Sequence, residues 1–277
     1  DPETLRTFAA CHRDWGYPVE LLSADAIVAK LPCLHDVPSL AAYVPTEMAV
    51  EPNDAVKALL ASAAIQPEQR HVHSLMIDRD RVYGVMTDDG PYTADEVILA
   101  SGNGTSTLLE SVGVSFEMTP TTGLLVTTRP LPEFLPHLLT APDYHVRQTG
   151  TGQLLIGGTF NHHQAPEDGQ SQQDAAAGLV ARVERALHCP APLEIASFSL
   201  GRRVIPQGGR PKIGRIRRPD GDEISGLYVA VMHSGISNMV AVADHGIAEI
   251  LTGASSQLLA PFRPVSGTAG DGRKGTG

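Results

Sequence analysis

The chain offers little chemistry through sulfur. Only 3 of its 277 residues are cysteine. They stand at 11, 33 and 189 with no C-x-x-C spacing, so neither a disulfide framework nor a thiolate metal site is indicated. Aromatic residues are scarce at 5%, yet apolar residues reach 42%, enough for a substantial core and too many for a disordered chain. A cationic excess is lacking as well: 21 Lys+Arg stand against 31 Asp+Glu, a formal charge of −10. That balance argues against a surface built to wrap nucleic acid or an anionic membrane. No apolar run approaches the roughly 18 residues of a membrane span. No internal repeat and no targeting segment are found, and the chain begins Asp1-Pro2-Glu3 rather than with Met. Its length suits one large domain or two packed ones.

What is present begins with short elements. Pro18, Pro32, Pro38 and Pro45 interrupt the first fifty residues, so no long element is expected there. Residues 21–31 read as helical with Ser23 as N-cap, and a clearer helix starts at Glu51-Pro52-Asn53-Asp54. Residues 71–93 alternate in the manner of a small antiparallel meander. Glu96-Val97-Ile98-Leu99-Ala100 is a continuous apolar run, which predicts a strand buried on both faces of a parallel sheet, ending at Ser101-Gly102-Asn103-Gly104 ahead of a helix. Short strands at 123–128, 144–147, 153–157 and 193–200, with a helix over 172–188, predict an antiparallel sheet in a distinct layer. Gly201–Gly214 reads as a turn-rich loop and 226–232 as a second buried strand. That strand ends at His233-Ser234-Gly235, before a helix over 236–251. Beyond Thr252 the Pro-, Gly- and Ser-rich tail is expected to fray.

Both buried strands end in small residues and lead straight into helices. Ligands gather beyond such carboxyl ends, where helix N-termini offer free N–H groups, although a tight turn wants glycine for steric reasons alone. Residues 202–218 hold seven of the 21 basic residues and no acid. An anion-binding patch, nucleic acid included, is one reading. A solvated loop is the preferred one for Arg210–Arg218. Arg202 and Arg203 end a predicted strand, so one of them faces inward and needs an anionic partner, for which a substrate carboxylate is a candidate. The pairs His71/His73 and His162/His163 lack helical metal-ligand spacing and acidic companions. Gly235-Ile236-Ser237-Asn238-Met239 lacks the second glycine of a nucleophile elbow, and no P-loop string occurs.

Taken in order, these segments resemble the FAD-dependent D-amino-acid oxidase superfamily, which includes glycine oxidase, sarcosine oxidase and D-amino-acid dehydrogenases. The likeness covers about residues 15 to 260. Val19–Asp25, Ala42-Tyr43-Val44-Pro45 and Glu51-Pro52 look like the family's entry to its substrate domain. Glu96–Gly102 is similar to its second flavin signature, an apolar strand ending A-x-G. Leu154–Thr159 resembles a substrate-sheet strand, and Gly201–Gly214 looks like G-x-R-P-x-x-x-D-G-x-P-x-I-G. Leu227–Gly235 resembles the last flavin-contacting loop.

The resemblance implies a fold of class α/β plus α+β: an FAD-binding Rossmann-like domain, incomplete here, interleaved with an antiparallel-sheet substrate domain. It implies a substrate domain at 1–46 and 114–199, the FAD-binding part at 47–113 and 200–258, and a flexible tail at 259–277. It implies non-covalent FAD and oxidation of the C–N bond of an amino acid or N-alkyl amino acid by hydride transfer to the flavin, with oxygen or another electron acceptor. Arg203 matches the arginine that pairs with the substrate carboxylate, and His145 falls at a substrate-facing position. Val72 corresponds to a backbone contact to adenine, Ala100, Ser101 and Gly102 line the dinucleotide, and His233, Ser234, Gly235 and Ile236 face the flavin N1–C2=O edge. Val204 stands where the family has Pro, and Gly208 where it has Asp. No strand–turn–helix carrying G-x-G-x-x-G is found, so a chain truncated upstream of Asp1 is expected, and a cytoplasmic location. The rival expectations are a non-catalytic flavoprotein-derived subunit or fragment that does not bind FAD alone, and an anion- or nucleic-acid-binding module.

Overall fold

In the computed structural model, residues 1–160, 168–218 and 221–264 are described. The pair His162/His163 lies outside them. From the N-terminus come α1 (Pro2–Asp14), β1 (Glu20–Ser23), α2 (Ala24–Lys30), β2 (Leu40–Tyr43) and α3 (Pro52–Ser62). Then follow β3 (Val72–Asp78), β4 (Arg81–Thr87), β5 (Gly90–Thr93), β6 (Val97–Leu99) and α4 (Thr105–Glu110). β7 (Thr122–Thr128), β8 (Leu139–Thr140), β9 (His145–Gln148), β10 (Leu154–Phe160) and α5 (Gly169–Ala186) come next. The last are β11 (Ile195–Arg202), β12 (Lys212–Arg217), β13 (Glu223–Val231) and α6 (Gly235–Thr252).

The chain forms two compact units, one from Asp1–Glu51 with Thr122–Gly201 and one from Pro52–Thr121 with the residues from Arg202 onward. The first holds a five-stranded sheet ordered β11-β7-β10-β9-β8 and a separate β1–β2 hairpin. Its core follows the helical period of α5: Ala176, Leu179, Val180 and Val183 are buried against Leu124, Val126, Val146, Leu154 and Ile156 of the sheet. α5 starts three residues earlier than its apolar stripe suggests, because the Asp168 carboxylate caps it by accepting the Ser171 N–H at 2.8 Å. The same amide and the Ser171 hydroxyl hold the Asp168 carboxyl below its ordinary range.

α1 corrects the expectation of short elements only. It runs 13 residues before the first of the interrupting prolines, with Asp1 accepting the Glu3 and Thr4 amides and Pro2 in the first turn. The stretch read as one helix over 21–31 divides at Ser23 into β1 and α2.

The second unit is built on a six-stranded sheet. β12-β13-β4-β3 form its path, β5 pairs with β4, and β6 pairs with β13. The β3–β4–β5 meander is antiparallel throughout, whereas β6 and β13 run parallel. Leu75, Val82, Leu99, Leu109, Ile224, Leu227 and Val229 form its core. Two expectations change here. Ile98 is 45% exposed, so β6 is buried on one face rather than two. The segment expected as a solvated basic loop contains β12, whose Ile213, Gly214 and Ile216 are buried. On it Arg215 is half-buried and makes a bidentate bond to Glu96 at 2.7 and 2.8 Å.

Residues 259–264 lie in the stretch read as a tail. Leu259 is buried with Ile213 and Tyr228, and Phe262 packs beside them.

Candidate active site

The two strand-to-helix turns meet at one sheet edge. Val97 stands opposite Leu227 and Leu99 opposite Val229, in parallel, so the carboxyl ends of β6 and β13 point the same way. β6 continues through Ala100 and Ser101 into a 3-10 turn at Gly102–Gly104, and β13 continues through His233 into α6. This is the edge at which α/β sheets collect ligands. Ser234 is the N-cap of α6, but its side chain makes no capping bond, and Gly235, Ile236 and Ser237 are exposed. The first-turn N–H groups therefore stand open at the positive end of an 18-residue helix.

The β6 turn also reaches the arginine segment. Gly102 has φ +58°, a left-handed conformation that suits glycine, and a Cβ there would come 3.1 Å from Val204 Cγ2. The Asn103 amide nitrogen donates to the Arg202 carbonyl at 3.1 Å, and the Arg203 N–H donates to the Thr121 carbonyl at 2.8 Å. The backbone around Arg203 is thus tied on two sides. Arg202 is exposed and Arg203 half-buried. Asn103 Oδ1 and Thr121 Oγ1 are buried and have no hydrogen-bond partner among the described residues. Unsatisfied buried atoms of this kind are costly, and Arg218 Nε is a third one.

Val72 lies on β3, the outermost strand of its sheet. The register shifts between Val72 and Ser74, a β-bulge that leaves His73 without an opposite residue. Val72 packs its side chain on the unit's core, so only its backbone is open to a partner. A polar cleft of about 500 Å³ lies next to it, lined by Gln69, Arg70, His71, Asp88 and Asp89.

His145 belongs to the other compact unit. It stands opposite Gly157 on β10, where a Cβ would overlap its imidazole. Val146 between His145 and Arg147 is fully buried beneath α5, so those two side chains share the opposite sheet face. Arg147 donates to Glu51 Oε1 at 2.7 Å and holds that carboxyl below its ordinary range. No sequence motif marks Arg147, Asn103 or Thr121. Alternation along Tyr144-His145-Val146-Arg147 was the available signal for the first; the other two carry none locally. Cys33 and Cys189 pack on the unit's core, and burial pushes both thiols up, Cys189 to about 11. Such thiols are poor nucleophiles.

The profile of the FAD dependent oxidoreductase family matches residues 1–248. This chain belongs to that family. Among curated proteins it is similar to a glycine oxidase of Pseudomonas aeruginosa, 29% identical over 154 residues, covering 56% of this chain and 42% of the relative. A glycine oxidase of Pseudomonas putida is 28% identical over 216 residues, covering 76% and 57%. The chain thus spans about half the length of these curated relatives. In fold it resembles glycine oxidase of Geobacillus kaustophilus, with TM-score 0.80 at 22% identity over 96% of this chain and 72% of that one. It also resembles glycine oxidase of Bacillus cereus, with TM-score 0.79 at 22% identity over 93% and 71%.

The residues present fit two parts of the family's cofactor. The uncapped α6 terminus beside the Gly102 turn suits a ring edge that gains negative charge, and the free backbone of an edge strand at Val72 suits a purine. The bare string G-x-G-x-x-G occurs at Gly270–Gly275, without the strand–turn–helix sequence setting that holds a pyrophosphate. That string lies outside the described residues and follows no apolar strand pattern. Among the described residues no helix is long and apolar enough to cross a membrane.

Proposed function

We propose that the chain serves the FAD-dependent oxidation of the C–N bond of a small amino acid or N-alkyl amino acid. The observation that carries this reading is the parallel register of β6 and β13, which delivers Ala100–Gly102 and His233–Ile236 to one edge, with Asn103 of the first turn bonded to the carbonyl of Arg202, next to Arg203. The names of the similar curated proteins, both glycine oxidase, favour glycine or its N-methyl derivative as the first substrates to try.

FAD, when bound, supplies the acceptor for a hydride from the substrate's Cα, and oxygen or another acceptor regenerates it. The chain's own residues bind and orient. Arg203 offers a planar fork to the substrate carboxylate, which fixes the direction of the Cα–H bond. The open N–H groups of Gly235 and Ile236 stabilise negative charge on the facing ring edge. Ala100, Ser101 and Gly102 shape the floor beneath the dinucleotide, the Val72 backbone takes the adenine, and His145 is a substrate-facing side chain.

Adding FAD to the purified chain and following flavin fluorescence tests this directly. The expected result is saturable quenching that Gly102→Val weakens, because the new side chain meets both a left-handed backbone and Val204. No quenching would favour the alternative of a non-catalytic module that takes no FAD alone. In the active protein, Arg203→Ala should raise KM for the amino acid about 100-fold, the worth of a charge-assisted bidentate bond. An unchanged KM would remove Arg203 from the site.

A further inference from the structure

α6 presents its N-terminus to the proposed flavin site, and its core contacts lie beyond the first turn, where Val242 and Ile250 pack partly buried against Ile213, Tyr228 and Leu259. Only Gly246 and Glu249 of its 18 residues are buried. Val240 is 65% exposed and Leu251 79% exposed, and no side chain in the first turn is buried. Apolar packing therefore does little to fix where that turn stands.

A polar clasp adds to the Val242 and Ile250 contacts. The Glu249 carboxylate accepts the Tyr228 hydroxyl at 2.6 Å, the Ser256 N–H at 2.6 Å and Arg263 Nη1 at 2.8 Å. Arg263 Nη2 bonds its other oxygen. Burial alone would raise the Glu249 carboxyl, but the Arg263, Tyr228 and Ser256 donors outweigh that and hold it at about 2. Arg263 also reaches the Ile213 carbonyl on β12 at 3.4 Å. Tyr228 lies on β13, the strand that leads into α6, and a Cβ on Gly246 would come 3.3 Å from its hydroxyl. The clasp thus joins α6, β13 and the C-terminal segment through one carboxylate, and β12 through Arg263. Contacts at positions 246 and 249 fix both the rotation of the helix and its height against β13.

We propose that Glu249 and Arg263 are positioning residues: from about 20 Å away along a stiff helix, they set where the α6 N-terminal N–H groups stand. The proposal rests on the reading of that N-terminus as the flavin contact. Geometry favours a functional over a merely local role, because the clasp is bonded to the same strand whose end delivers the flavin-facing turn.

Amide hydrogen exchange on the purified chain tests it without FAD. Arg263→Ala should speed exchange about tenfold along all of α6, residues 236–240 included, and Arg263→Lys should restore part of the protection. Acceleration confined to residues 246–263 would overturn the proposal. Glu249→Gln, which drops the charge and keeps one acceptor oxygen where the carboxylate offers two, gives the same readout should Arg263→Ala not fold. With FAD bound, loosening at 236–240 should move the flavin midpoint potential to a more negative value. Loosening with an unmoved potential would also overturn the proposal. Loosening in a chain that takes up no FAD would uphold the clasp's control of the N-terminus and defeat the flavin reading instead.

Discussion

α5 and α6 are both 18-residue helices, and they are held in opposite ways. α5 has the more polar sequence, Gly-Gln-Ser-Gln-Gln-Asp at its start, yet it buries Ala176, Leu179, Val180 and Val183 as a regular stripe on a sheet. α6 is richer in Ile, Val, Met and Ala, yet its buried residues are a glycine and a glutamate. A scaffold helix gains by spreading many weak contacts along one face, so no single residue decides its position. A helix whose terminus serves a ligand gains from one directional anchor, because a hydrogen-bonded carboxylate fixes rotation and height where apolar contact tolerates sliding.

The largest effect expected from this contrast lies in α5. Leu179→Ala should cost about 3 kcal/mol in a denaturant titration, since it opens a cavity among Leu124, Val126 and Ile156. That cost should not change with pH, because no charge is involved.

Glu249→Ala should cost about the same or slightly less, roughly 3 kcal/mol, by leaving the buried Tyr228 hydroxyl and the partly buried Arg263 without their acceptor. Its signature is acid. The Glu249 carboxyl falls from an ordinary 4.5 to about 2 on folding. The stabilisation it supplies is therefore complete above about pH 4.5 and is lost as pH drops through about 2. Denaturant midpoints at these two pH values should converge for the wild-type chain and Glu249→Gln at the lower one. A constant gap would show that the clasp is not ionic.

The smallest effect is expected on the outer face of α6. Val240→Ser, at a position 65% exposed, should change stability by less than about 0.5 kcal/mol. A loss several times larger would mean that the exposed face of α6 is packed in solution, and the contrast with α5 would disappear.

Much of this was legible in the residues. The β3–β5 meander, the α5 stripe and the β6 and β13 strands follow from local periodicity, which is set by how a single element faces a core. The order of motifs points to the family without any geometry. β12 escaped because Lys212-Ile213-Gly214-Arg215-Ile216-Arg217 carries charge at half its positions. Its assignment depends on Arg215 meeting Glu96, which lies 119 residues away. Arg263 escaped for a similar reason: in a Pro- and Gly-rich stretch it reads as solvated, and its bonds to Glu249 and the Ile213 carbonyl exist only in the folded chain. The parallel register of β6 with β13 is likewise a relation between distant segments, and it turns two ordinary strand-to-helix turns into one candidate site.

The most direct test of the account is a hydrogen-exchange map of the purified chain with and without saturating FAD. Added FAD should protect the Ala100–Asn103 turn and the Ser234–Asn238 start of α6 together, since their strands end at one edge, while leaving α5 unchanged. Protection of neither turn, or of one without the other, would contradict the shared flavin edge on which the proposed function rests.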